Sequence, residues 1–485
     1  MKHFLNPKRT VTAMLAVAML ASLASCGGDA PASDTTAADV SADTTTAAPE
    51  TAYIDPLEKR DMGGAEFVIY GQHYSGRQNF YMEEKDGEVC NDAMFARDSA
   101  VEERLNVDLV YIGEQDRAKV KSTAQASILA GDEEYNVIMT SLSDGMNTLT
   151  TAGVLYDLRK IPHLTLDSEY WNKSMYDRME INGAQYFTTG GVAYVFYQTP
   201  IVMRANLRLV DEYKLDNPYE LVLDGKWTFD KFMSMAKDKY QDLNNNSTAD
   251  VGDFFGLIMD GTFGNALYTA AGLDTVSREG GKVTLALDSP QSIDLIEKYA
   301  AALGDRIQYM NDLDGSKSWN KDIFMPGNCL FQPMTILGTL SLREMKDDFA
   351  ILPMPKYDEA QKEYYTACNT WLASGVAVPV NCSDPDRTGL ILETMAYYSD
   401  FFVRPAIYET TLQGKVARDD NAVQMLDIIY NSASFDFVTA FNFANSGNIL
   451  REMVTGDQQN FVSTYAGLKE SAQAALDDVM TFAEE

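Results

Sequence analysis

Between Glu66 and about Lys160 the apolar positions switch repeatedly between two periods. Phe67-Val68-Ile69-Tyr70 is a short continuous apolar run of the kind that fills a buried strand. Asn91 stands where it can cap a helix running to Arg104, with Met94, Val101 and Leu105 on one side. Val107 to Ile112 reads as a second strand. Val120, Ala124 and Ile128, four apart, predict a helix that stops at Gly131, and Asn136 to Thr140 predicts a third strand. This βαβαβ alternation predicts an α/β fold with a mostly parallel sheet flanked by helices, in which ligands sit beyond the C-terminal ends of the strands. The loops at those ends are Gly71-Gln72-His73-Tyr74-Ser75-Gly76 and Ser141-Leu142-Ser143-Asp144-Gly145.

Ahead of this pattern lies a different one. Lys2, Lys8 and Arg9 precede an apolar run, Val11 to Leu23, that is short for a membrane span and has the layout of a signal peptide, expected over residues 1–25. It ends in Leu23-Ala24-Ser25-Cys26-Gly27, which resembles the lipobox of bacterial lipoproteins, and this resemblance implies that Cys26 is the lipidated mature N-terminus. Residues 26–51 are mostly Ala, Ser, Thr, Asp and Pro, too poor in large apolar side chains to offset their ordering entropy. They are expected to form a disordered tether with a root-mean-square span of roughly 25–30 Å. The expected location is the extracellular face of the cytoplasmic membrane, with the chain held there by its lipid.

About 430 residues remain, more than one ordinary core accommodates, so two lobes are expected. The net charge of −32 becomes −35 once the three positive leader residues are removed, which argues against nucleic acid and favours a neutral or cationic ligand. Solubility alone also accounts for such acidity. Cys90, Cys329, Cys368 and Cys382 show no CxxC and no metal-ligand spacing. A Cys368–Cys382 disulfide and scattered buried thiols are both open readings.

Four ordered segments carry a family resemblance. Asn91-Asp92-Ala93 leading to Val101-Glu102-Glu103-Arg104-Leu105-Asn106-Val107 is similar to the start of extracellular solute-binding proteins of the maltose-binding type, family 1-like, in their lipoprotein form. Gly225-Lys226-Trp227-Thr228-Phe229-Asp230-Lys231-Phe232, Leu352-Pro353-Met354-Pro355-Lys356-Tyr357, and Val378-Pro379-Val380 with Ser383-Asp384-Pro385-Asp386-Arg387 follow in the order of that family. The resemblance covers nearly all of the mature chain and is nearest to branches from Gram-positive bacteria. It implies a two-lobed periplasmic-binding-protein-like fold of type II, with 62–188 and 370–412 in lobe one and 200–365 and 413–485 in lobe two. A hinge is then expected near Tyr186 to Pro200, where Thr188-Thr189-Gly190-Gly191 supplies permissive backbone. The resemblance also implies a monomer that binds a mono- or oligosaccharide and delivers it to the permease subunits of an ABC transporter by hinge closure.

Sugars stack on aromatic rings and need polar partners for their hydroxyls. The candidate contacts on predicted loops are Gln72 and Tyr74, Ser143 and Asp144, Asp260 with Phe263 and Tyr268, Trp319, Phe331, and Asn369 with Trp371. A separate motif runs from Asp242 to Asp253, where Asp242, Asn244, Asn246, Asp250 and Asp253 fall at positions 1, 3, 5, 9 and 12 of an EF-hand-like loop and the Thr248 carbonyl at position 7. Ser247 replaces the turn glycine and Asp253 is shorter than the usual glutamate, so a structural calcium ion and a polar turn are both open. No cofactor is required on this reading. HExxH, GxSxG and GxxxxGK[ST] are all missing from the sequence, and its three histidines are His3, His73 and His163, of which His73 lies on a predicted cleft loop. The expected protein is therefore not an enzyme. The alternatives are a surface-anchored glycan hydrolase, which paired carboxylates would reveal, and a sensory binding protein signalling to a membrane kinase.

Overall fold

The computed structural model describes residues 57–73, 81–259, 261–279, 282–303, 309–310, 317–412, 420–455 and 461–482. The signal peptide at 1–25 and the tether at 26–51, with Cys26, lie outside the described residues, as do Tyr74 and Asp260. From Leu57 onward the chain forms a unit of its own.

Lobe one begins with the anticipated alternation. Strand β1 (Ala65–Gln72) pairs in parallel with β2 (Val107–Glu114) and with β3 (Val137–Ser141). Helix α1 (Val89–Leu105) joins the first two strands and α2 (Arg117–Ala130) the second and third. Met94, Val101 and Leu105 of α1 and Val120, Ala124 and Ile128 of α2 are buried, as their spacing requires. Asp116 caps α2 through the N–H groups of Ala118 and Lys119, and Gly131 closes it at φ 79°, where a side chain would be strained. The start of α1 differs from expectation. Its N-cap is Glu88, and Asn91 lies inside the first turn, where its amide donates to Asp86 at 2.8 Å.

Lobe two is built on a mixed five-stranded sheet. Its strands are β4 (Ile201–Asn206), β5 (Phe255–Ile258), β6 (Tyr309–Met310), β7 (Cys329–Thr335) and β8 (Phe349–Leu352), in the order β8-β4-β7-β5-β6. Helix α3 (Thr262–Ala270) follows β5. Two segments that carry the family resemblance meet here. Trp227 is fully buried, its indole N–H donates to the Pro353 carbonyl at 3.0 Å, and Lys356 and Trp227 join through a 3.0 Å backbone bond.

Three stretches of chain pass between the lobes and lie side by side. Pro200 bridges Cys368, the Asn369 N–H donates to the Thr199 carbonyl at 3.0 Å, and β9 (Thr366–Ala367) pairs in parallel with β11 (Ala433–Ser434). The second stretch continues into β10 (Ser374–Ala377), which joins β3. Strands β4 and β10 both start at this crossing, level with the C-terminal ends of β7 and β3, so both run antiparallel to those neighbours. Helix α4 (Pro385–Tyr398), capped by Asp384, then covers lobe one. After β11 come α5 (Phe437–Phe441), part of a core shared with Leu142 and Met146 of lobe one, and the long α6 (Phe461–Phe482). No described helix is long and apolar enough to cross a membrane.

The glycines expected to loosen the hinge do something else. Neither has a positive φ; a Cβ on Gly190 would stand 3.0 Å from the Tyr170 carbonyl oxygen, and one on Gly191 would stand 2.5 Å from the Ser399 Cβ. They permit close packing. Thr188 exchanges backbone bonds with Val376, and Arg97, with no exposed surface, donates to the Val192 carbonyl at 3.2 Å and to Asp98 at 2.7 Å. This stretch belongs to the rigid edge of lobe one. The four cysteines are free thiols: Cys90, Cys329 and Cys368 are buried, Cys382 is half-buried, and burial pushes the Cys368 pKa to about 12. Replacing Arg97 with Met leaves Asp98 buried without its cation and is expected to destabilise the fold by about 3–5 kcal/mol in urea titration; an unchanged midpoint would show that the pair contributes nothing.

Candidate functional site

The crossing gathers the C-terminal edges of both sheets around it. Lobe one supplies Gln72 and His73 from the end of β1 and the turn Leu142–Met146 from the end of β3. Lobe two supplies Asn265 and Thr269 of α3, the helix that follows β5. Between them the crossing carries Asn369, Thr370 and Trp371. Asn265, Thr269, Asn369, Trp371 and Asp436 line a recess of about 40 Å³. Trp371 is 46% exposed, unusual for a large aromatic. Its backbone is held by Asn369, whose side-chain carbonyl accepts from the N–H groups of Trp371 at 3.0 Å and Leu372 at 3.2 Å.

Asn265, which lines the recess, holds a buried amide oxygen with no hydrogen-bond partner among the described residues, as do Gln72 Nε2 at the end of β1 and Gln198 Oε1 on the first crossing. Gln198 lies on the first crossing, 5% exposed, and its amide nitrogen donates to the Tyr194 hydroxyl at 3.2 Å. Each such orphan costs on the order of 1–3 kcal/mol unless something answers it. Burial lowers the His73 pKa, which keeps its ring neutral at physiological pH beside Tyr81, with centroids 4.9 Å apart. Asp436 is a buried carboxylate whose pKa burial raises; it caps α5 by accepting from the Thr439 N–H at 2.8 Å and also accepts from the Thr275 hydroxyl.

The sequence-derived candidates divide sharply. Trp371 and Asn369 line the recess, and Gln72 ends β1. Ser143 is nearby but spent: its hydroxyl lies within hydrogen-bond distance of Thr370 Oγ1 at 2.6 Å and of the Thr439 carbonyl at 3.0 Å. Asp144 is half-buried and paired with Lys121 at 2.6 Å. Phe263, Tyr268 and Phe331 are core residues with no more than 1% exposure. Phe331 packs on Phe232 and Trp227 at 5.3 and 5.9 Å between centroids, and the Tyr268 hydroxyl bonds Ser292 at 2.7 Å. Trp319 is half-buried against the same core. A strand or helix leaving the cleft edge turns alternate side chains inward, and adjacency to polar residues does not reveal which. Gln198, Asn265 and Asp436 were missed. Asp436 had a signal, as a helix-capping residue ahead of the apolar Phe437-Val438. The left-handed cluster of Asn442, Ala444 and Asn445 at φ 48°, 45° and 67°, next to α5, had none.

The calcium-like loop lies elsewhere, between the helix Phe229–Ala236 and β5. Its backbone wraps as such loops do. The Ser247 N–H donates to Asp242 at 2.9 Å, Asn246 to Asn244 at 3.0 Å and Thr248 to Asn246 at 2.7 Å, and Ser247 adopts φ 60° at the position where glycine is usual. The donor set fits only in part. Asp253 is fully buried and gives its oxygens to Leu243, Asp250 and the Tyr240 hydroxyl, so it supplies no bidentate ligand.

Comparison with known proteins agrees with this architecture. No protein-family model and no curated protein matches the chain. Among solved structures it is similar to the cyclic alpha-maltosyl-1,6-maltose binding protein from Arthrobacter globiformis, at TM-score 0.54 and 14% identity, covering 87% of this chain and 99% of that one. It is also similar to UgpB from Mycobacterium tuberculosis in complex with glycerophosphocholine, at 0.52 and 13%, covering 86% and 98%. The substrate-binding protein Lmo0181 from Listeria monocytogenes in complex with cycloalternan gives 0.50 and 14%, covering 87% and 99%. The chain has the two-lobed α/β fold of solute-binding proteins of the maltose/maltodextrin type. At these identities the likeness defines the fold; the ligands named belong to those proteins.

Replacing Gln72 with Met removes one orphaned buried donor and is expected to stabilise the ligand-free protein by about 1 kcal/mol in urea titration; destabilisation would show that the amide is already satisfied.

Proposed function

We propose that this protein captures a small carbohydrate between its lobes outside the cell and delivers it to an ABC importer, performing no chemistry on it. The observation that supports this most is the set formed by the exposed Trp371 ring and the unanswered Asn265 amide oxygen, which line one recess. A sugar presents what that set lacks: hydroxyls that both donate and accept, and an apolar face for the indole. The ordering of both lobes around one crossing gives a ligand contacts on each side, and such contacts favour a closed arrangement. The chain's net charge of −32 is compatible with a neutral ligand and unfavourable for nucleic acid. On this reading Cys26 carries the lipid that holds the protein at the outer face of the membrane, the protein works as a monomer, and permease subunits receive the closed form.

Thermal unfolding against a panel of mono- and oligosaccharides is the direct test, because a ligand bound only by the folded state raises stability by RT ln(1 + [L]/Kd). The expected result is a rise with at least one unaltered sugar, with Trp371→Ala weakening that sugar by about 2 kcal/mol, roughly 30-fold. Silence across all sugars, or breakdown of the added glycan, would count against capture. Cys26→Ser is expected to release the protein from cells into the medium; retention on the membrane would contradict the lipid anchor. For the loop at Asp242–Asp253 the proposal is a weak structural calcium site held by Asp242, Asn244, Asn246, Asp250 and the Thr248 carbonyl. A calcium titration should then raise the melting temperature only near 10⁻⁴–10⁻³ M, roughly the range of weak extracellular sites, and Asp242→Ala should abolish the rise; no rise in the parent protein would leave the loop a plain turn.

A further inference from the structure

A much larger concavity than the recess at Trp371 lies at the other end of the β9–β11 pair. The recess takes residues that follow those strands, such as Asn369 and Asp436. The second groove, about 900 Å³, takes residues that precede them, such as Tyr365 and Tyr430, and Ser434 lines both. Its walls come from the loop and helix Asp167–Arg178 of lobe one on one side and from Glu363–Tyr365 and the end of the helix Asp420–Asn431 on the other. The volume suits a molecule of a few hundred daltons.

The chemistry of this groove is one-sided. Its three cations are each held already, Lys173 by Asp177 at 2.9 Å, Arg178 by Asp274 at 2.6 Å and Arg404 by Asp400 at 2.9 Å. Asp167, Glu169, Glu363 and Asp427 also line it, all four exposed to solvent and none with an ion-pair partner among the described residues; Asp427 accepts the Tyr408 hydroxyl at 3.0 Å. Among these carboxylates stand tyrosine rings. Tyr197 and Tyr430 are buried and meet edge to face at 5.9 Å, while Tyr170 and Tyr365 are half-buried. The Tyr365 ring lies so close to Gly272 that a Cβ there would stand 2.8 Å from it, which fixes the ring against lobe two. Ring faces carry a negative quadrupole, so the half-buried Tyr170 and Tyr365 rings and the exposed carboxylates lining one groove would each attract an ammonium group. A neutral sugar would gain the stacking and leave the charge unanswered.

We propose that this groove is a second binding site, separate from the recess at Trp371, and that it takes a small organic ammonium compound carrying two or more spaced positive charges. The proposal does not rest on the identity of the solute captured at Trp371. It is tested with spermidine as the probe, by calorimetric titration of the intact protein at about 0.15 M salt, where contacts between fully exposed charges are largely screened. The expected result is saturable one-site binding that magnesium does not reproduce, that Trp371→Ala leaves unchanged, and that the exposed, isosteric pair Asp167→Asn and Glu363→Gln weakens roughly tenfold or more. The melting temperature of that double variant confirms that it is folded, and Glu169→Gln serves as a second variant should it not be. Absence of spermidine binding would overturn the proposal. So would binding that magnesium matches and the groove variants leave unaltered, because that is the behaviour of a diffuse acidic surface, and so would binding lost in Trp371→Ala, because that would place the amine in the recess.

Discussion

Everything in this molecule depends on where the chain crosses between its two sheets. Thr199-Pro200, Cys368-Asn369 and Ser434 lie side by side in one hydrogen-bonded ribbon at the C-terminal edges of both lobes. That placement makes β4 and β10 run against their neighbours, since a strand that begins at the C-terminal edge of a sheet has only one direction in which to go. It also sets Trp371 on the crossing, in the recess lined by Asn265 and Thr269. A backbone ribbon is satisfied internally and can bend without losing its hydrogen bonds, whereas Thr188–Val192 just upstream is locked to Val376 and Arg97.

Local structure was legible in the sequence where one period dominated. The three strands and two helices that open lobe one follow their apolar spacing, and Gly131 ends α2 for the reason any C-cap glycine does. The family resemblance was carried by segments that turn out to touch, Trp227 against Pro353, which explains why an ordered set of short motifs says more than any one of them. What was illegible concerns direction and long-range proximity. Phe263 and Phe331 sit next to the cleft edge in sequence yet point into the core, while Gln198 and Asn265 look like ordinary polar residues until the fold buries their amides. Gly190 and Gly191 were read as backbone freedom and serve close packing, because a Cβ is excluded there by Tyr170 and Ser399, which are distant in sequence or brought near only by tertiary structure.

The two concavities on either end of the β9–β11 pair differ in what they leave unanswered. At Trp371 the unmet group is the neutral Asn265 amide, which a hydroxyl would answer. In the groove at Tyr365 the lining groups are exposed carboxylates and tyrosine rings, which the proposed organic cation would suit.

On the proposed function a solute bridges the lobes and closes them. Small-angle X-ray scattering of the protein in solution, with and without a saccharide that raises its melting temperature, measures this directly. Closure about the ribbon predicts a contraction in the radius of gyration that Trp371→Ala reduces at the same sugar concentration. A scattering profile unchanged at saturation would contradict it, and the protein would then be one that binds without moving.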